Sequence, residues 1–240
     1  MTQTARIALI GTEGAASQLA TALVAAGAEL VDSISEANVV LSSTSPVLAL
    51  KTARESSDAL ADGAIYADLN AGTPGLKRSL AEAFPTGAFA DVVIADSRAE
   101  SFAIAVSGTG SATLAELLAP FVAVEVISDV AGQAAARALL RSMLDNSMAT
   151  VLVDTLWAAE SLGQATWMHE EILRVFETST GETAQSLLAD TSVNFKRRQM
   201  DMQDVVELLS ESGYESTMLE PIQFTHGRIM HSKKIPHAKG

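Results

Sequence analysis

The 240-residue chain carries 29 acidic against 16 basic residues, a formal charge of -13 that repels phosphate backbones and anionic membrane surfaces and argues against nucleic acid as a partner. It has no cysteine, so disulfides, thiolate metal sites and cysteine nucleophiles are excluded together. At this length, 48% hydrophobic content predicts two modest cores rather than one.

Residues 6–10 (RIALI) are a short β-branched apolar run ending at Gly11, and 14–27 is Ala- and Leu-rich at helical spacing with a closing Gly. That pattern reads as strand, tight turn and helix. Further strand-like runs follow at 38–42, 64–68, 89–94, 102–106 and 124–127, with helical patterns at 46–58, 74–84 and 111–119 between them. Continuous apolar strands alternating with helices predict an α/β domain over 1–130, its mostly parallel sheet covered on both faces. After Gly132 the texture changes. Residues 133–178 predict one very long helix or two joined near Gly163. More helix is expected at 182–190, 196–211 and about 215–230, with Gly213 as a stop and a frayed tail from His231. Residues 131–240 therefore read as an all-α domain. No apolar stretch approaches the roughly 20 residues that span a bilayer. No basic region followed by an apolar run precedes the first strand, and a soluble, cytoplasmic protein is the expectation.

A strand ending in Gly, then a tight turn and a helix start, is the apparatus that receives a pyrophosphate. Against the pattern G-x-G-x-x-G/A, the turn Gly11-Thr12-Glu13-Gly14-Ala15-Ala16 keeps the first Gly and an allowed Ala16, but puts Glu13 at the second Gly. A carboxylate there brings bulk and negative charge to the place of closest phosphate approach, unless Gly14 lets the turn rearrange. Gly11, Thr12, Glu13, Gly14 and Ala16 are the candidate nucleotide-binding set; the competing reading is a plain strand-helix turn. Between Gly27 and Asn38 only AELVDSISEA intervenes, too short for a further strand-helix-strand excursion. Asp32, 21 residues after Gly11, stands where a ribose-binding acid would, or in a segment whose adenine-side wall has been lost.

The run IALIGTEGAASQLATALVAAGAEL, with VVLSSTSP at 39–46, ADLNAGTP at 67–74, FADVVI at 89–94 and AVSGTGSATLAELLAPF at 105–121, resembles the β-hydroxyacid dehydrogenases. The helical part, GQAAARALLRSMLDNSMATVLVDTLWAAESLG at 132–163 and NFKRRQMDMQDVVELLSESG at 194–213, is similar to the 6-phosphogluconate dehydrogenase-like branch near the imine reductases. The resemblance spans roughly residues 5–215. It implies a shortened Rossmann-like domain followed by an all-α one, NADP or NAD as cofactor, a small anionic substrate, and a homodimer through the C-terminal helices.

By the same resemblance, Ser43, Thr44 and Ser45 line the cofactor crevice, and Asn70, Ala71, Gly72 and Thr73 form the substrate-side loop; the competing readings are a helix N-cap region and a plain turn. The family's catalytic Lys and the Asn a turn later fall on Ala138 and Arg141. Ala cannot move a proton, and neighbouring Arg137 points about 100° away on an ideal helix. Arg141, with Ser142 beside it, is the candidate clamp for a carboxylate or phosphate. Asn70 is the other candidate catalytic residue, and Lys196 and Arg197 are candidates for attracting an anionic substrate.

The four histidines offer no ligand pair at helical spacing, and no metal site is expected. His169 beside Glu170 and Glu171 reads as a solvated helix face before a general base. Trp157 and Trp167 read as core or dimer contact. Three functions remain open: an NAD(P)-dependent oxidoreductase, a lyase, isomerase or hydrolase on the same scaffold that has lost the dinucleotide, and a non-catalytic ligand-binding dimer.

Overall fold

The structure, a computed structural model, describes residues 5–11, 14–85, 87–96, 102–232 and 235–236. It divides into two compact units, Met1–Met143 and Leu144–Gly240.

The first unit is built on seven strands: β1 (Arg6–Ile10), β2 (Glu29–Leu30), β3 (Val39–Ser42), β4 (Ile65–Asp68), β5 (Phe89–Asp96), β6 (Ala103–Ser107) and β7 (Ala123–Ser128). They form one sheet in the order β2-β1-β3-β4-β5-β6-β7, parallel throughout except where β6 runs antiparallel to β5. Parallel strands need crossover helices, and these cover both faces. Period-two alternation assigns the faces. Ile7, Val39, Leu41, Ile65 and Ala67 point to one side and pack with Leu19 and Leu23 of α1 (Ala15–Ala25) and Leu114 and Leu118 of α4 (Ser111–Leu118). Ala8, Val40 and Tyr66 point to the other, against Ala49 and Ala53 of α2 (Pro46–Ser57) and Leu80 of α3 (Pro74–Ala81). There Tyr66 stacks on Phe84 at 4.5 Å between centroids, and burial pushes its phenol up to about 12.

The expected elements form, and one strand that the sequence pattern does not announce joins them. β2 is a two-residue edge strand, and from it the chain runs through a 3-10 turn at Ile34–Glu36 directly to β3 on the far side of β1. Among the described residues, no strand lies beyond β2 in the sheet.

Helix α5 (Gln133–Ser161) starts in the first unit and continues into the second, followed by α6 (Ala165–Thr178), α7 (Gly181–Ser212) and α8 (Leu219–Ser232). The break near Gly163 falls as expected. The two separate helices expected at 182–190 and 196–211 are one, interrupted only by a non-helical Asn194 (φ -102°, ψ 20°). The Asn194 side chain donates to Asp190 at 2.6 Å, and Arg198 also pairs with Asp190, so side chains bridge the kink. A Thr180–Thr183 capping box opens α7, and Gly213 in the left-handed conformation closes it.

Candidate functional site

The carboxyl ends of β1, β3 and β4 meet where the order of strands reverses, the position at which open α/β sheets bind ligands. Gly11 ends β1 at φ 90°, and a Cβ there would stand 1.9 Å from the Ser43 carbonyl oxygen. Gly14 heads α1 at φ 80°, with room for a Cβ only 3.1 Å from Ser43 Oγ. Gly11 is required because the backbone of the loop leaving β3 comes this close, and Gly14 because of its positive φ. Ala16 is buried within α1. Thr12 and Glu13 lie outside the described residues.

The loops after β3 and β4 are tied to each other. Asn70 Oδ1 accepts the Thr44 backbone N–H at 2.6 Å, and Asn70 Nδ2 donates to Asp68 Oδ1 at 2.6 Å. Ser45 and Thr73 cap α2 and α3, each followed by a Pro at the first helical position. Asn70 thus joins the candidate cofactor loop to the candidate substrate loop. Asn70→Ala strands the part-buried Thr44 amide and one Asp68 oxygen. It is expected to lower stability by about 2 kcal/mol in urea unfolding; no change would mean the two loops are held apart from this contact.

Beneath this loop lies a charge cluster that the sequence reading did not include. Lys77, on the first turn of α3, is 1% exposed. Its ammonium donates to Asp68 Oδ2 at 2.5 Å and to the Asn70 carbonyl at 2.6 Å, and pairs with Asp91 Oδ1 at 3.1 Å. Asp91 Oδ2 accepts from Ser107 Oγ at 3.2 Å and from the Ala135 amide at 3.0 Å; Ser107 Oγ in turn accepts the Ala134 amide at 3.0 Å. The first turn of α5 is therefore seated on the same cluster as the site loop. Gly132 adds a second tie, since a Cβ there would meet Pro74 at 2.8 Å. Two carboxylates face one ammonium, and the positive end of α5 supplies part of the remaining balance. Burial pushes Asp68 above the ordinary carboxyl range, opposed by the Lys77 charge and by hydrogen bonds from Lys77 and Asn70.

The other candidates stand apart from this constellation. Arg141 and Ser142 are exposed on α5, about 9 Å along the helix axis from the Ala135 amide. Ala138 is part-exposed on the same helix, and Arg137 pairs with Glu125 of β7 at 2.7 Å. Lys196 and Arg197 lie on α7 in the second unit, where with Asn194, Phe195 and Met230 they line a cavity of about 600 Å³. Glu171 is held by Arg174 on an exposed stretch of α6. Among the described residues there is no group of three or more His, Asp or Glu that could hold a metal ion.

This fold is that of the 3-hydroxyacid dehydrogenases and imine reductases. A conserved protein of unknown function, itself described as structurally similar to 3-hydroxyacid dehydrogenases, matches at 24% identity over 96% of this chain and 100% of its own, with a TM-score of 0.60. A reductive aminase from Aspergillus terreus, in complex with NADPH and ethyl-5-oxohexanoate, matches at 17% identity over 96% and 95%, TM-score 0.66. An imine reductase from Myxococcus stipitatus, in complex with NADP+, matches at 16% over 95% and 94%, TM-score 0.66. No protein-family model and no curated protein matches the sequence.

Gly11, Gly14 and Ser43 make a narrow cradle, and the Ser43–Ser45 run and Asn70 stand beside it on braced loops. On the other side of β1, β2 is a two-residue strand.

Proposed function

We propose that this chain is an oxidoreductase that binds a nicotinamide nucleotide at the crevice over β1, β3 and β4 and acts on a small anionic substrate. The observation that carries the reading is the Thr44–Asn70 bond over the buried Lys77 cluster. It holds the cofactor-side and substrate-side loops in one fixed arrangement before any ligand arrives. Preorganisation of this kind is needed where two ligands must meet, and is not needed by a plain turn. The nucleotide would supply hydride; the chain's own residues would bind and orient. Asn70 and Thr73 would hydrogen-bond the substrate, and Arg141 would clamp its anionic end.

A second reading is favoured by one position. Ala138 replaces the family's proton-transferring Lys, so a cofactor-independent or purely ligand-binding role on the same crevice competes with the first. Titration of NADH and NADPH, followed by nucleotide fluorescence, separates the two. Saturable binding below millimolar concentration is expected, and no binding at that level would sink the oxidoreductase reading.

We further propose that two copies pair through the C-terminal helices and that the protein works in the cytoplasm. Trp157, Trp167, Phe176, Val193 and Phe224 are each about half exposed or more in the single chain, an apolar surface of the kind that marks an interface. No described helix is long and apolar enough to cross a membrane. Light scattering is expected to give twice the mass of one chain, and Trp157→Glu to shift it toward the single-chain mass. A wild-type protein at single-chain mass would remove the dimer.

A further inference from the structure

The two sides of the candidate crevice are unequal, and the inequality bears on what can fill it. A dinucleotide fold places one mononucleotide-binding half on each side of the point where strand order reverses. On one side of β1 this chain has β3 and four strands beyond it; on the other it has only β2, paired through Arg6↔Glu29 and Ile7↔Leu30. The chain then crosses back to β3 within residues 31–38 through only the 3-10 turn at Ile34–Glu36, and among the described residues no second strand lies beyond β2 to wall an adenine ring. What that edge does present is acidic. Asp32, two residues past the end of β2, is exposed, and from residue 7 to residue 50 there is no Lys or Arg. A 2′-phosphate placed beside Asp32 would meet a carboxylate, with no Lys or Arg in the surrounding stretch of chain to offset it. Across the crevice the opposite holds: Ser43–Ser45, Asn70 and Thr73 are present, the loops are cross-linked, and Lys77 fixes them from below.

Resting on the reading that a nicotinamide nucleotide enters this crevice, we infer that the site is of mononucleotide size. It engages the nicotinamide ring, its ribose and a single phosphate, and leaves the adenosine half in solvent. The affinity of such a site resides in the half it touches, because groups that stay hydrated contribute neither burial nor hydrogen bonds.

Titrating reduced nicotinamide mononucleotide, NADH and NADPH on the full chain by fluorescence tests this. The mononucleotide is expected to bind within about threefold of NADH, and NADPH to bind no more tightly than NADH. Asp32→Ala is expected to leave all three affinities within about twofold of the parent, and AMP is expected not to compete. A mononucleotide weaker than NADH by about tenfold or more, or a loss of NADH affinity alone in Asp32→Ala, would overturn the inference while leaving the oxidoreductase reading standing. Failure of all three nucleotides to bind would overturn both.

Discussion

Replacing Lys77 by Met is expected to lower the unfolding free energy by about 3–5 kcal/mol, and the melting temperature of the first unit by on the order of 10 °C. Met matches the aliphatic stem but removes the cation, leaving Asp68 and Asp91 buried at 1% and 0% exposure without it. Two carboxylates in that state face desolvation without the charge that offset it, and the penalty for breaking such a cluster exceeds any packing gain. The exposed Lys51–Glu55 pair, 3.7 Å apart on α2, provides the contrast: Lys51→Met should change stability by no more than about 0.5 kcal/mol. The deficit of Lys77→Met also has a pH dependence of defined sign. Asp68 already titrates above the ordinary carboxyl range because of burial, so its ionisation opposes folding as pH rises through the folded value. Loss of the ammonium pushes it higher still. The variant's deficit should therefore shrink as pH falls below the raised folded value of Asp68, where its carboxyl is protonated in the folded parent and variant alike. A deficit that is small, or that does not vary with pH, would mean the ammonium is not what offsets the burial of Asp68.

Much of the first unit can be read from the chain because its strands announce themselves as buried apolar runs between Gly turns, and because α2 and α3 each begin with a capping hydroxyl and Pro. The gap between Gly27 and Asn38 is equally readable as a shortened excursion. β2 escapes notice because two residues carry no period; it exists through pairing with β1, a tertiary effect. The merging of 182–190 and 196–211 into α7 has a similar cause. Asn194 has the propensity of a break, yet its bond to Asp190 carries the helix across.

At the candidate site, the motif singles out Asn70, but the contacts its side chain makes are not visible in sequence. Lys77 reads as an ordinary charged residue on the surface of a helix. Its partners are separated in the chain: Asp68 at a strand end, Asp91 on β5 and Ala135 at the start of α5. Only the sheet brings them together. A signal did exist in Asp91, a carboxylate inside the apolar run FADVVI, where an unpaired charge would be costly. Arg141 lies on an exposed part of α5.

In the second unit the largest expected effect comes from Asp154, for which Asp154→Ala should cost about 3 kcal/mol. This buried carboxylate accepts from Tyr214 Oη at 2.9 Å, Ser216 Oγ at 2.5 Å, and the Thr217 amide and hydroxyl at 3.1 and 3.2 Å. It thereby fixes the turn between α7 and α8 onto α5. Burial opposes its ionisation, but the hydrogen bonds from Ser216, Tyr214 and Thr217 outweigh burial and hold it below the ordinary carboxyl range. The sign is thus the reverse of that for Asp68. Its contribution is complete above the unfolded carboxyl range and is lost as pH falls through the lower, folded value, so the difference between parent and Asp154→Ala should narrow only under strong acid. Tyr214→Phe, which removes one of the four bonds, should cost about 1 kcal/mol. The turn also carries Met218, Leu219 and Ile222 to the wall of a largely apolar cavity of about 450 Å³. Hydrogen exchange in residues 214–222 should accelerate in the alanine variant, while the α3 and α5 amides around Lys77 keep their protection. Acceleration spread equally over both units would mean that they unfold as one, and that the Asp154 contacts do not act locally.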